Sequence, residues 1–207
     1  SIGRDYDSGK LWIERMLTFA KDNILSKDNY GDWCVPPEEA KLIHSKDPAR
    51  QTDKALLATS YFYYDLHLMG RYAKMLGKTA DVERWSRLAE DYKTAFNQKF
   101  LNRDKGQYDN GSQTSCVLPL AFGLVSEDMR DRIFAHLVNK IENETKGHIG
   151  TGLIGGQHLN RVLSDHGRAD LCGIEDPLPR DHVPIGRRER HGLTVRVQGQ
   201  PEVPVRI

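Results

Sequence analysis

Gly147-His148-Ile149-Gly150-Thr151-Gly152-Leu153-Ile154-Gly155-Gly156 contains, from Gly150 to Gly155, the spacing G-x-G-x-x-G. Dinucleotide-binding folds use that spacing to turn a strand into a helix and seat a pyrophosphate on the helix N-terminus. Asp170 even stands at about the distance where such a fold carries its ribose-binding acid. The flanks decide against it. A buried strand must feed the first glycine, yet Asn143-Glu144-Thr145-Lys146 precede it, polar and at the end of a helical pattern. No alternation of strand and helix follows to complete a sheet. A Walker loop fails as well, because no Lys-Ser or Lys-Thr follows these glycines; at Gly77-Lys78-Thr79, Tyr72 stands where the first glycine belongs. The run reads as a glycine-rich turn between helices, where glycine permits positive φ and close backbone approach.

Working outward, helix follows helix. Leu11, Trp12, Met16, Phe19, Ala20 and Ile24 recur at helical intervals and predict a helix from Ser8 to about Ser26. Leu56, Leu57, Tyr61, Tyr64, Leu68, Tyr72 and Met75 predict a second over 52–76, closed by Gly77. Thr79 and Asp81 open a third, with Val82, Trp85, Leu88, Ala89, Tyr92, Ala95, Phe96 and Phe100 on its core face. A shorter one covers about Ser112 to Val125 around Pro119. Ser126 caps the next, which carries Met129, Ile133, Phe134, Leu137, Val138 and Ile141. The last spans Gln157 to Ser164. No long alternating run suggests a sheet, so the fold class is all-α with about six helices. Short and long connections alternate without a fixed period. That suits stacked αα-hairpins of an α/α toroid or irregular bundle better than a regular solenoid.

Composition narrows the function classes. The 30 Lys and Arg nearly balance 29 Asp and Glu, so charge points neither to nucleic acid nor to an anionic membrane. No stretch approaches the roughly 20 apolar residues of a membrane span. Cys34, Cys116 and Cys172 are too scattered for a disulfide framework or a thiolate metal site. The N-terminus, Ser-Ile-Gly-Arg, carries neither initiator Met nor a signal-peptide pattern and reads as an excerpt from something longer. Beyond Leu171 the sequence changes character: residues 172–207 crowd Arg180, Arg187, Arg188, Arg190, Arg196 and Arg206 among five prolines, with no apolar face. An irregular tail is expected there, foreign to a domain over 1–171.

The chemistry-bearing candidates are few. The loop from Asp28 to Glu39 combines carboxylates, Tyr30, Gly31, Asp32 and Trp33. Carboxylates accept sugar hydroxyls and an indole covers the apolar side of a sugar ring; the same composition also suits a turn whose Trp plugs a bundle end. Glu38 and Glu39 fit the opening of a short helix after two prolines. His148 is placed to hydrogen-bond a ligand or to lie on the surface. Asp104 to Gly111 lacks the spacing and closing Glu of a calcium loop and reads as a polar connection. No metal and no cofactor is expected.

The order of several segments resembles the bacterial α-L-rhamnosidases, family 78 glycoside hydrolases. They are Tyr30-Gly31-Asp32-Trp33, Ala58 to Tyr64, Met75 to Asp81, Ala95 to Leu101, Gln113 to Leu124 and Gly147 to Gly155. The resemblance covers about residues 8–171. It implies part of an (α/α)6 barrel that removes terminal rhamnose with inversion, with Asp32 and Trp33 as sugar contacts and a rhamnose-containing carbohydrate as partner; His148 joins them as a candidate contact on its own chemistry. The family's general acid lies in an Arg-x-Glu-Arg-Leu-Gly-Trp-like motif and its base ends a Gly-Ala-Thr-Thr-x-Trp-Glu-like motif; neither occurs here. Inversion needs both carboxyl groups, roughly 6.5–9.5 Å apart. The expectation is an inactive, self-associating chain whose reading frame shifts or is misassembled near residue 171. The rivals are another α/α-toroid carbohydrate enzyme and a non-catalytic helical scaffold for a protein partner.

Overall fold

A computed structural model describes residues 2–26, 31–36 and 51–172. The readings for Asp28 to Tyr30, for Glu38 and Glu39, and for the tail beyond Cys172 lie outside those residues.

Helices α1 (Ile2–Leu17), α2 (Lys54–Met75), α3 (Thr79–Phe100), α4 (Gln113–Phe122), α5 (Arg130–Asn139) and α6 (Leu153–Asp165) make up most of the described chain. α2 packs against α1, α3 and α4, and α4 in turn packs against α5 and α6. Thus α2, α4 and α6 form one row of helices, backed by α1 and α3 on α2 and by α5 on α4.

The core runs through all six helices, and most of its largest side chains lie between α1, α2 and α3. Trp85, Tyr92 and Phe96 are wholly buried, and Phe62 from α2 meets Tyr92 at 4.9 Å between ring centres. A buried polar group must keep a partner. The Trp85 indole N–H accordingly donates to Tyr6 Oη at 2.9 Å, and Tyr6 donates onward to Asp81 Oδ2 at 2.7 Å. That relay joins α1 to the first turn of α3. Gly9 lets α1 approach α2 as well: a Cβ there would stand 2.9 Å from Met69 Sδ.

Four expectations are corrected. The first helix stops at Leu17 rather than Ser26. Ala20–Lys21 (β1) and Ile24–Leu25 (β2) form a small antiparallel hairpin, with Asp22 and Asn23 at φ 52° and 57°. Two successive left-handed residues make a tight hairpin turn, which Asp and Asn tolerate. The α1 core face is also rotated from the predicted one: Tyr6 and Ile13 are buried, whereas Leu11 and Trp12 are 73% and 47% exposed. The predicted polar connection after α3 is a second hairpin, Leu101–Asn102 (β3) against Gln107–Tyr108 (β4). Finally, α6 begins four residues before the predicted Gln157, inside the glycine run.

The stripe assigned to the core of α2 behaves differently along its length. Leu56 and Leu57 are buried, but Tyr64 and Tyr72 are each 39% exposed and Met75 is 71% exposed. The buried side is built instead by Phe62, Tyr63, Leu66, Met69 and Ala73. α2 is apolar around most of its circumference, so spacing alone selects two faces and does not rank them.

Candidate functional site

The N-termini of α2, α4 and α6 are tied to one another by side chains. The first four N–H groups of any helix lack an internal partner, so each N-terminus must find acceptors. Asp53 supplies them for α2, accepting from Ala55 N at 2.6 Å and Leu56 N at 3.4 Å. Ser112 does so for α4, accepting from Ser115 N at 3.1 Å. The hydroxyls of Thr52 and Ser112 then meet at 2.7 Å, and Asp53 N donates to Asp109 Oδ2, which fixes the two ends side by side.

For α6 the acceptor comes from far along the chain. Asp32 Oδ1 accepts from Ile154 N at 2.8 Å and Gly155 N at 3.3 Å, and Oδ2 accepts from Gly152 N at 2.8 Å. The Thr114 hydroxyl, in the first turn of α4, also donates to Oδ2. Leu153 N takes the remaining role, donating to the carbonyl of Trp33 at 2.8 Å. A carboxylate offers about four lone-pair sites, and protein donors here number four. Helix dipole and carboxylate charge reinforce each other in this arrangement.

The glycines make room for it. A Cβ on Gly152 would collide with the Trp33 carbonyl and stand 2.7 Å from Asp32 Oδ1; one on Gly155 would collide with the Thr114 hydroxyl. Gly150 serves Gln113 in the same way. Its N–H donates to Gln113 Oε1 at 2.8 Å, while Gln113 Nε2 donates to the carbonyl of His148 at 3.2 Å and to Thr145 Oγ1 at 3.1 Å. Of the first two residues of α4, both buried, Gln113 therefore holds His148 and Gly150 directly, and Thr114 supports Gly152, Ile154 and Gly155 through Asp32.

The residues singled out from the sequence are thus brought to one end of the helix row. Asp32 is partly buried and fully engaged; Trp33, next to it, is 64% exposed. His148 is exposed and lines a small cleft of about 90 Å³ with Gln113, Ile141, Leu159, Asn160 and Leu163. Trp33 is not among the residues lining that cleft. Among the described residues, no group of three or more His, Cys, Asp or Glu is placed to hold a metal ion. No described helix is long and apolar enough to cross a membrane.

A model of the bacterial α-L-rhamnosidase six-hairpin glycosidase domain matches residues 1–173. The chain belongs to that family. It is 34% identical over 160 residues to an α-L-rhamnosidase of Formosa agariphila, covering 75% of this chain and 16% of that protein. Over 171 residues it is 32% identical to an α-L-rhamnosidase of Alteromonas sp. (strain LOR), covering 80% and 18%. Among solved structures, the α-L-rhamnosidase of Dictyoglumus thermophilum matches with a TM-score of 0.74 at 32% identity, over 84% of this chain and 19% of that one. The α-L-rhamnosidase of Streptomyces avermitilis, in complex with L-rhamnose, matches with a TM-score of 0.71 at 26% identity, over 82% and 15%. The chain therefore spans less than a fifth of the length of the relatives it matches.

Within this segment of a rhamnosidase domain, the sequence reading did not single out Gln113 or Thr114 as site residues. Each is an ordinary polar residue in a helix's first turn, and only the folded chain shows what it holds. It also passed over a cluster beside the site. The Tyr61 hydroxyl lies 3.3 Å from His158 Nε2, and the Phe122 ring stacks on Tyr64 and meets His158 edge-on. Burial, with Asp32 and Asp65 close by, raises the Tyr61 pKa; burial and Arg161 lower that of His158. Burial also lifts the Asp65 carboxyl to about 6. Their helical spacing carried the only signal, and it reads equally as core.

Proposed function

We propose that this chain forms one arc of the catalytic domain of an inverting α-L-rhamnosidase, with the Trp33 indole against the sugar ring and His148 at the rim. The observation that carries this reading is Trp33 itself: a large aromatic, 64% exposed, whose carbonyl is fixed to the N-terminus of α6. An indole left in water without a partner forgoes the favourable burial of its apolar face, and a sugar ring supplies that burial. The match to a rhamnosidase solved with L-rhamnose supports the choice of sugar.

Neither the full acid motif nor the base motif that the family resemblance calls for occurs in these 207 residues; Arg187-Arg188-Glu189-Arg190-His191-Gly192-Leu193 shares the Arg, Glu, Arg and Gly of the acid motif but not its Leu and Trp. The isolated chain accordingly binds rhamnose weakly and does not hydrolyse an aryl α-L-rhamnoside. Rhamnose raises the melting temperature of the wild-type chain and leaves that of Trp33→Ala unchanged. No response of the wild type to rhamnose or any other monosaccharide would move the reading to a helical scaffold for a protein partner. Turnover by the pure chain would refute its inactivity.

The domain reading places a boundary near residue 171, with the Arg- and Pro-rich segment beyond it coming from a shifted frame. Translation of the encoding nucleotides in the other two frames tests this, since neither restoring a Trp-Glu motif removes the idea. We further propose that the exposed apolar residues, Leu11, Tyr64, Tyr72 and Met75 among them, drive self-association of the chain. Sedimentation of the wild type against a Tyr72→Ser, Met75→Ser double variant measures it, and equal sedimentation of the two rules it out.

A further inference from the structure

We infer that Asp32 is a positioning residue: its carboxylate occupies the anion seat that the glycine run builds at the N-terminus of α6, and through that seat it sets the orientation of Trp33. The glycine spacing that resembles a dinucleotide fingerprint is thereby explained in physical terms. Both arrangements expose backbone N–H groups at a helix start and clear the space in front of them for a negative charge. In this chain the charge is internal, 120 residues away in sequence from Gly152.

Three observations converge on it. Three backbone N–H groups, of Gly152, Ile154 and Gly155, point at the two Asp32 oxygens. The Thr114 hydroxyl supplies a fourth donor from a different helix. Gly152 and Gly155 are the positions where a side chain would strike Asp32, the Trp33 carbonyl or Thr114. With Leu153 N on the Trp33 carbonyl and Asp32 anchored through its carboxylate, the backbone is held on both sides of the Trp33 Cα, which fixes its Cα–Cβ direction and narrows the rotamers open to the indole. Four donors leave the carboxylate no free lone pair for a sugar hydroxyl. Its contribution to sugar binding is the pre-orientation of its neighbour.

The readout is the Trp33 signal in the full chain labelled with 5-fluorotryptophan. Of the three tryptophans, Trp12, Trp33 and Trp85, the Trp33 resonance is assigned by its loss in Trp33→Phe, and buried Trp85 reports the core. In Asp32→Ala the Trp33 line moves toward the position of the unfolded chain and narrows, while the Trp85 line stays. Thr114→Val moves it in the same direction by less, and Thr114→Ser restores it. If Asp32→Ala does not fold, the Thr114 pair carries the test. An unmoved Trp33 line in folded Asp32→Ala, or in Thr114→Val where that pair decides, overturns the inference.

The role in sugar binding rests on the proposed function and is read separately. Rhamnose shifts the wild-type Trp33 line, and Asp32→Ala weakens that titration on the order of tenfold. If rhamnose shifts no line in the wild type, the sugar reading fails while the positioning of Trp33 is still decided by the variants.

Discussion

Two aspartates cap two helices of the same row, and they do it by different routes. Asp53 stands directly before α2 and reaches N–H groups two and three residues ahead of it. Asp32 caps α6 from 120 residues away, takes a hydroxyl from a third helix, and carries an exposed tryptophan beside it. The local cap stabilises one helix. The remote cap joins α4, α6 and the Trp33 segment, so its removal should be felt in all three.

The largest effect expected is therefore that of Asp32→Ala. It removes a charged acceptor from four donors and should lower stability by about 3 kcal/mol, since hydrogen bonds to charged groups contribute roughly 1.5–3 kcal/mol. Urea unfolding measures it, and a loss no greater than that of Asp53→Ala would erase the distinction between the two caps. Gly152→Ala attacks the same seat from the other side, by filling it. Overpacking of this kind costs about 2 kcal/mol, and a neutral result would show that the Trp33 carbonyl and Asp32 can step aside.

Asp53→Ala should cost about 1 kcal/mol, the usual loss for an N-cap, without moving the Trp33 signal. A third aspartate sharpens the contrast. Asp65 sits within α2, where the backbone N–H groups are already used, and burial raises its carboxyl to about 6. A raised acid pKa means that ionisation opposes folding: the penalty is absent below the unfolded value of roughly 3.9 and complete above about 6. Asp65→Asn should then raise the melting temperature at about pH 7.5 and not near pH 4, by an amount that partial solvent access keeps small. An equal gain at both pH values would place the cause in packing instead. Smallest of all is Tyr72→Ser, on the exposed stripe, expected within about 0.5 kcal/mol. A larger loss in dilute solution would mean that this face is already covered.

The legibility of these features followed their range along the chain. α3 was readable from end to end because its stripe, Trp85 to Phe100, is apolar on one side only. α2 was readable as a helix but not in its orientation, because both its faces are apolar and neighbours alone decide which is covered. The first hairpin was hidden by Phe19, Ala20 and Ile24 falling in helical register with α1, although Asp22-Asn23 held the turn signal. At the site, Asp32 and Trp33 were legible as residue types that suit a sugar, while the partners of Asp32 were not.

By itself, the sequence determined a row of amphipathic helices, refused the nucleotide reading of Gly150 to Gly155, and carried enough ordered segments to point to the rhamnosidase family. The first two are properties of composition and of spacing within one turn or one motif, and the last is a resemblance carried by the order of several motifs along the chain. Only the tertiary structure decided where α6 begins, which face of α2 is buried, and that the glycines seat a carboxylate. The physical reason is the same in each case: an N–H, an apolar face and an anion seat are each satisfied by a partner distant in sequence, and folding alone determines which partner arrives.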